Sequence, residues 1–167
     1  MVKHLTLNKI KFIGTALVLS IVFFACNKLE EYDNRPIILE GSYSLLQNAQ
    51  GKDTSLVLKF TFTDGDGNVG LSTSDTTAPF DTNVKIDYFE KIDGVFTKIL
   101  IPGTTDTLNF NSRIKEFGSK TATKAEVEVK VNISVVLADT VRFDYYILDK
   151  DLNKSNTIST GTIVLNN

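Results

Sequence analysis

Hydrophobic and polar residues alternate with a period of two in several segments after Pro36. In the segment SLVLKFTFT, one set of alternate positions holds Leu56, Leu58, Phe60 and Phe62, whereas the other set is mixed and partly polar. Alternate side chains of an extended strand point to opposite faces of a sheet, so this pattern predicts a half-buried β-strand.

Three further segments show the same alternation, and each predicts a strand with one apolar face. The apolar positions are Val84, Ile86 and Tyr88 in NVKIDYFEKI, then Ala125, Val127, Val129, Val131, Ile133 and Val135 in KAEVEVKVNISVVL, then Val141, Phe143, Tyr145 and Ile147 in TVRFDYYIL. In KIDGVFTKILI, the pair Asp93-Gly94 predicts a tight hairpin turn. TLNFNSRIKEF is a weaker strand candidate, and TISTGTIVLN predicts a last strand.

Seven or eight short strands with turn residues between them are typical of an all-β domain. After Pro36, no window shows an apolar stripe of helical period and helical length. We therefore predict one antiparallel β-sandwich over residues 36–167, preceded by a signal-peptide helix in residues 1–25 and an acidic linker in residues 26–35.

The N-terminus reads as a secretory signal. Residues 1–11 carry three lysines and no acid, and residues 12–25 are apolar with small residues mixed in. A basic start and a short apolar core are typical of a signal peptide. This apolar run of 14 residues is shorter than the ~20 residues that a membrane-spanning helix needs.

The only cysteine of the chain, Cys26, directly follows this apolar run. FFAC resembles the lipobox of bacterial lipoproteins, which implies cleavage after Ala25 and acylation of Cys26. The acidic run that follows, with Glu30, Glu31 and Asp33, resembles the surface-export signal of Bacteroidota lipoproteins. The resemblance implies a lipid-anchored protein at the outer face of the outer membrane. The alternatives are a lone buried thiol and an ordinary solvated tether.

Composition narrows the possible chemistry. Removal of residues 1–25 takes three of the 18 basic residues and none of the 20 acidic ones, which leaves 142 residues with a net charge of −5. No run of basic residues indicates a nucleic-acid partner. The only histidine, His4, lies in the signal, so the remaining domain has no Ser-His-Asp or Cys-His nucleophile and no His zinc ligand. We predict a protein that is not an enzyme.

Two loops carry the same acidic pattern directly after a predicted strand. DGDGN contributes Asp64, Asp66 and Asn68, and DKDLN contributes Asp149, Asp151 and Asn153. Carboxylate and amide oxygens at alternate positions suit Ca²⁺, which takes 6–8 oxygen ligands. These six residues are candidate ligands, although Asp, Asn and Gly also simply form turns. The spacing does not match an EF-hand, because its required Gly would be Val69 and its Glu would be Asp75.

Family resemblances place these loops in space. LADTVRFDYYILDKDLNKSNTIST resembles the strand F to G passage of immunoglobulin-like sandwiches, and FTFTDGDGN, ILDKDLNKSNTI and DNRP resemble cadherin segments. In such sandwiches the B–C and F–G loops share one end. The resemblance therefore implies that residues 64–68 and 149–153 meet, with Asp33 close by.

Three functions remain open at this stage. The first is a non-catalytic surface module that binds a protein or glycan, with Ca²⁺ as a stabilising ion. The second is an accessory structural subunit of an envelope assembly. The third is a hydrolase that uses the acidic cluster. Tyr146, together with Tyr88 or Phe89, is a candidate aromatic platform for a glycan, although these rings would equally serve to pack on the sheet.

Overall fold

The computed structural model describes residues 31–116 and 122–167. The predicted signal peptide, the predicted lipidation residue Cys26 and Glu30 of the acidic run lie outside the described residues. Across the described ranges every regular element is a β-strand, and no helix there is long and apolar enough to cross a membrane.

Eight strands form two antiparallel sheets, which confirms the predicted β-sandwich. The first sheet has the order β1-β2-β5, and the second has the order β4-β3-β6, with β7 and β8 both paired to β6. This order corresponds to strands A, B, E and C′, C, F, G of an immunoglobulin-like sandwich. The strands are β1 (Ile37–Gln47), β2 (Asp53–Asp64), β3 (Val84–Ile92), β4 (Val95–Lys98), β5 (Thr123–Asn132), β6 (Thr140–Ile147), β7 (Ile158–Ser159) and β8 (Ile163–Val164).

The core lies between the two sheets and is built from the predicted alternate positions of β2, β3 and β6. Leu56, Leu58, Phe60 and Phe62 are all buried. Aromatic rings connect the two layers, with a centroid distance of 5.4 Å between Phe60 and Tyr145. Burial of these side chains removes apolar surface from water, and it is the main stabilising contribution to a domain with no internal disulfide.

The alternation predicted for the fifth strand is wrong at its end, because Val135 is 69% exposed. Strand β5 stops at Asn132, whose Oδ1 accepts hydrogen bonds from the N–H and the hydroxyl of Ser134. A turn follows, in which the N–H of Val136 donates to the carbonyl of Ile133. The turn breaks the period of two, so that Val136 is buried in place of Val135.

The predicted last strand is interrupted. Its two pieces, β7 and β8, both pair with β6, and Gly161 between them has a left-handed φ of 70°. The weaker candidate TLNFNSRIKEF is not a named strand and runs beside β3 through isolated bridges. There the N–H of Ile86 donates to the Asn111 side chain instead of a backbone carbonyl, which interrupts a regular ladder.

Candidate functional site

The two acidic loops meet at one end of the sandwich, as the resemblance to immunoglobulin-like sandwiches implied. Asn68 Nδ2 donates to Asp151 Oδ2 at 3.0 Å, and the N–H of Lys150 donates to the Asn68 carbonyl at 3.3 Å. We call this end the acidic pole and define it as residues 64–68, residues 149–153 and Asp33. Residues 83 positions apart in the chain thus share one polar cluster.

The segment before β1 also reaches the acidic pole. The N–H of Gly65 donates to the Asp33 carbonyl at 2.7 Å. A Cβ atom at Gly65 would lie 2.8 Å from that same carbonyl oxygen and would contact the Tyr32 carbonyl as well. Only glycine lets the two backbones approach this closely. The compact unit accordingly begins at Glu31, within the stretch predicted as a linker.

The β6–β7 loop satisfies its own buried carboxylate. Asp149 is 1% exposed. Its Oδ1 accepts the N–H of Asn153 at 2.7 Å, and its Oδ2 accepts the side-chain Nδ2 of Asn153 at 2.8 Å. Both oxygens therefore have donors within the same turn, and Asp149 and Asn153 form a closed structural unit.

The β2–β3 loop is different, although its sequence pattern is the same. Asp64 is 0% exposed, and its Oδ2 accepts the N–H of Val69 at 3.2 Å. Its Oδ1 is buried and has no hydrogen-bond partner among the described residues, and the same holds for Asp66 Oδ1 and Asn68 Oδ1. We call these atoms the three unpaired oxygens. Buried polar atoms are normally hydrogen-bonded, so three exceptions within five residues need a physical explanation.

The electrostatics of Asp64 follow from this setting. Burial raises the pKa of Asp64, the neighbouring charges of Asp66 and Asp149 raise it further, and the N–H groups of Val69 and Asn68 lower it in part, so that the pKa is about 6. The carboxyl is therefore mostly ionised at neutral pH. Because its folded pKa lies above the ordinary value, ionisation in the folded state costs stability.

The six candidate ligands therefore share one pole but do not act alike. Asp149 and Asn153 bind each other, while Asp151 accepts from Asn68. Within residues 31–116 and 122–167, no group of three or more His, Cys, Asp or Glu side chains is arranged to hold a metal ion. The three unpaired oxygens belong to two carboxylates and one amide. A group limited to His, Cys, Asp and Glu side chains does not include the amide of Asn68.

A second polar surface covers the outer face of the second sheet, which sequence reasoning identified only through two of its aromatic rings. We define this outer face as the outward side chains of β3, β4 and β6 with the adjoining Lys154. They are Lys85, Asp87, Phe89, Lys91, Phe96, Lys98, Arg142, Asp144, Tyr146 and Lys154. Five of these side chains are basic and two are acidic.

Cations cover the aromatic rings of the outer face. The guanidinium carbon of Arg142 lies 4.2 Å from the ring centroid of Phe89 and 4.9 Å from that of Phe96. The ammonium of Lys154 lies 3.7 Å from the ring centroid of Tyr146. Tyr88 is buried and is not part of any platform. The basic and aromatic residues at the outward positions of β3 and β6 are visible in the sequence. Their clustering becomes evident only from the strand register, which pairs Phe89 with both Lys98 and Arg142.

Three open grooves of about 290, 290 and 470 Å³ mark the described surface. One lies between β1 and β7 and is lined by Tyr43, Tyr145 and Ile158 among others. None of these three grooves is lined by the carboxylates of the acidic pole. Comparison of the chain with family models, with curated proteins and with solved structures gives no match.

Proposed function

We propose that this chain is a lipid-anchored outer-membrane protein whose sandwich is a non-catalytic interaction module. Its outer face binds a protein partner that presents an acidic surface. The observation that carries the proposal is the charge of the outer face, which has three more basic than acidic side chains in a chain that is −5 after residue 25.

This separation of charge favours an acidic partner. Electrostatic complementarity steers association and selects among partners. On the outer face Asp87 pairs with Lys98 and Asp144 pairs with Arg142. Lys85 and Lys91, together with Lys154 over its aromatic ring, supply the excess positive charge.

The centre of the outer face has the composition of a protein interface. Arginine and aromatic side chains are enriched among the residues that contribute most to binding. Arg142 lies between Phe89 and Phe96, and its Nε and Asp144 Oδ1 are buried without a hydrogen-bond partner in the described part of the chain. Arg142 and the two rings are therefore the side chains of the outer face most suited to contribute to binding.

A protein suits this surface better than a neutral glycan. Sugar rings stack on open aromatic faces, whereas here the faces of Phe89 and Tyr146 are covered by Arg142 and Lys154. A catalytic role for the acidic pole has less support, because the carboxyl with the raised pKa, Asp64, is fully buried. A general acid or base must reach the proton that it transfers.

The lipid anchor on Cys26 would set the orientation of the module. The Asp33 carbonyl accepts the N–H of Gly65 at the acidic pole, and Asp33 lies seven positions after Cys26 in the sequence. A chain of that length spans at most ~25 Å, so the membrane surface would lie within that distance of Asp33. The outer face would then be presented sideways, where a neighbouring envelope protein can reach it.

A capture experiment with matched charge reversals tests the binding surface. Full-length chains are cross-linked on intact cells, and capture by the parent is compared with that by Lys98→Glu/Lys154→Glu, on the outer face, and by Lys52→Glu/Lys130→Glu, whose exposed lysines lie outside it. We expect the first variant alone to lose a partner with an acidic surface. Equal capture by both variants, or equal loss, would rule out the outer face.

Anchoring is tested separately with Cys26→Ser. Removal of the acylated thiol should release the protein from the outer-membrane fraction into the soluble fraction, since stable attachment depends on the acyl chains. Unchanged retention would contradict the lipid anchor, whatever the result of the capture experiment.

A further inference from the structure

We propose that the acidic pole holds one Ca²⁺ ion, bound by Asp64 Oδ1, Asp66 Oδ1 and Asn68 Oδ1. This inference goes beyond the proposed function, and it depends neither on the lipid anchor nor on the outer face. It requires only the local geometry of the β2–β3 loop.

The three unpaired oxygens have no hydrogen-bond donor left to them among the described residues. The N–H of Val69 is used by Asp64 Oδ2, and Asn68 Nδ2 is used by Asp66 Oδ2 at 3.1 Å and by Asp151 Oδ2. The nearby ammonium of Lys150 is paired with Glu116 at 3.1 Å. The three unpaired oxygens remain as acceptors that no side chain or backbone group of the described residues serves. A cation is the simplest group that satisfies buried acceptors of this kind.

The backbone between the three unpaired oxygens also suits a bound ion. The unpaired oxygens belong to alternate residues, separated by Gly65 and Gly67, and Gly67 has a φ of 69°. A left-handed glycine lets the chain curl so that alternate side chains approach one another. Gly65 is fixed against the backbone of Asp33, so the start of this curl is held in place.

Comparison with the β6–β7 loop indicates that the β2–β3 loop is more than a turn. Asp149-x-Asp151-x-Asn153 has the same spacing as Asp64-x-Asp66-x-Asn68. In the β6–β7 loop Asn153 turns back and satisfies both oxygens of Asp149. In the β2–β3 loop Asn68 turns outward to Asp66 and Asp151 and leaves Asp64 Oδ1 unserved within the described residues. If the β2–β3 loop served only as a turn, Asn68 could donate to both oxygens of Asp64, as Asn153 does to those of Asp149.

Ca²⁺ fits this donor set better than other common ions. All three ligands are oxygens, and two are carboxylates, which suits a hard divalent cation. Ca²⁺ accepts irregular geometry and a shell completed by backbone carbonyls and water, whereas Mg²⁺ demands a near-ideal octahedron. With only three side-chain ligands we expect a dissociation constant of about 10⁻⁴ to 10⁻³ M, the range of extracellular modules.

The experiment uses the full-length chain purified in detergent and freed of metal with EDTA. Calorimetric titration with CaCl₂ should show saturable binding of one ion per chain, with a melting temperature several degrees higher at 10 mM CaCl₂. MgCl₂ at the same ionic strength should give a markedly smaller shift. The absence of saturable Ca²⁺ binding in the parent chain, or equal shifts with both salts, would overturn the proposal.

Two variants with the same change of charge locate the site. Asp66→Asn should weaken Ca²⁺ binding by about tenfold or more, because a carboxylate ligand of the ion becomes neutral. Asp93→Asn loses the same charge in the β3–β4 turn, where Asp93 has a φ of 49° that asparagine also adopts, and should bind as the parent does. Equal effects of the two variants would mean non-specific charge screening and would refute a site at Asp64, Asp66 and Asn68.

Discussion

Strand β2 begins and ends with a buried aspartate, and the two carboxylates differ in the hydrogen-bond donors around them. Asp53 is 6% exposed and Asp64 is 0% exposed. Asp53 Oδ1 accepts from Gln47 Nε2 at 3.0 Å, and its Oδ2 accepts the N–H of Asn166 at 2.8 Å. Asp64 Oδ2 accepts the N–H of Val69 at 3.2 Å, the N–H of Asn68 adds a weaker stabilisation of the carboxylate, and Asp64 Oδ1 has no hydrogen-bond partner within the described ranges.

The comparison shows that burial alone does not mark a functional carboxylate. Asp53 joins the end of β1 and the C-terminal segment to the start of β2, and its own N–H donates to the Asn166 carbonyl at 2.7 Å. It therefore acts as a structural clasp. Asp64 lies near two other carboxylates that raise its pKa to about 6. The supply of hydrogen-bond donors, rather than depth, distinguishes the two.

The largest expected effect is the loss of the clasp. Asp53→Ala leaves the N–H of Asn166 and the amide of Gln47 without their acceptor. Unmet donors and lost charge-assisted bonds should lower the free energy of unfolding by about 3 kcal/mol. Urea unfolding at pH 7.5 in EDTA measures this change. A loss below ~1 kcal/mol would mean that Asp53 is not a clasp, since an ordinary surface substitution changes stability by about half that or less.

The opposite sign is expected at the other end of the strand. Asp64→Asn removes a buried charge whose folded pKa of about 6 lies above the ordinary value of 3.8 for aspartate. Because the folded pKa exceeds the unfolded pKa, the native state loses stability as the pH rises and the carboxyl ionises. At pH 7.5 in EDTA, a neutral side chain should therefore raise the free energy of unfolding by roughly 1 kcal/mol. The same urea series measures it.

Calcium supplies the control for Asp64→Asn. The parent should gain stability when CaCl₂ replaces EDTA, whereas the variant should gain little, because one ligand of the proposed site is now neutral. A variant that is less stable than the parent in EDTA would show that Asp64 is held by favourable contacts, and the contrast with Asp53 would then fail.

The sequence was sufficient for the sandwich and for the meeting of the two loops. Period-two alternation predicted Phe60, Phe62 and Phe143 in the core, and the resemblance to immunoglobulin-like sandwiches implied that residues 64–68 meet residues 149–153. It was not sufficient to tell the two loops apart, because their acidic spacing is identical. The difference depends on the rotation of the Asn68 and Asn153 side chains, which follows from the backbone path of each loop.

The outer face could not be predicted from the sequence, for a related reason. Its basic and aromatic residues occur in three separate strands, and none of the strands is basic enough alone to suggest a patch. Only the register that sets Phe89 opposite Lys98 and Arg142 concentrates them. Pairing between strands is a tertiary property, and no local pattern specifies it completely.

The smallest expected effect concerns a buried group that is neutral at physiological pH. Tyr145 is 1% exposed, and burial raises the pKa of its phenol to about 12. If the charge of Asp64, rather than its polarity, lowers the stability of the fold, the neutral phenol of Tyr145 should not lower stability at neutral pH. Its ionisation should affect the free energy of unfolding only at alkaline pH. With a folded pKa above the unfolded value near 10, its contribution is complete below pH ~10 and is lost as the pH rises towards 12.

Tyr145→Phe isolates this contribution. Relative to its own stability at pH 9, the variant should retain roughly 1 kcal/mol more than the parent at pH 11, because it has no phenol to ionise on unfolding. Urea unfolding at the two pH values measures the difference, and Tyr88 stays in both chains as an internal constant. Parallel losses in parent and variant would show that Tyr145 ionises equally in the folded and unfolded states. The pKa of Tyr145 would then not be raised by its burial, and burial would be weakened as the main cause of the raised pKa of Asp64.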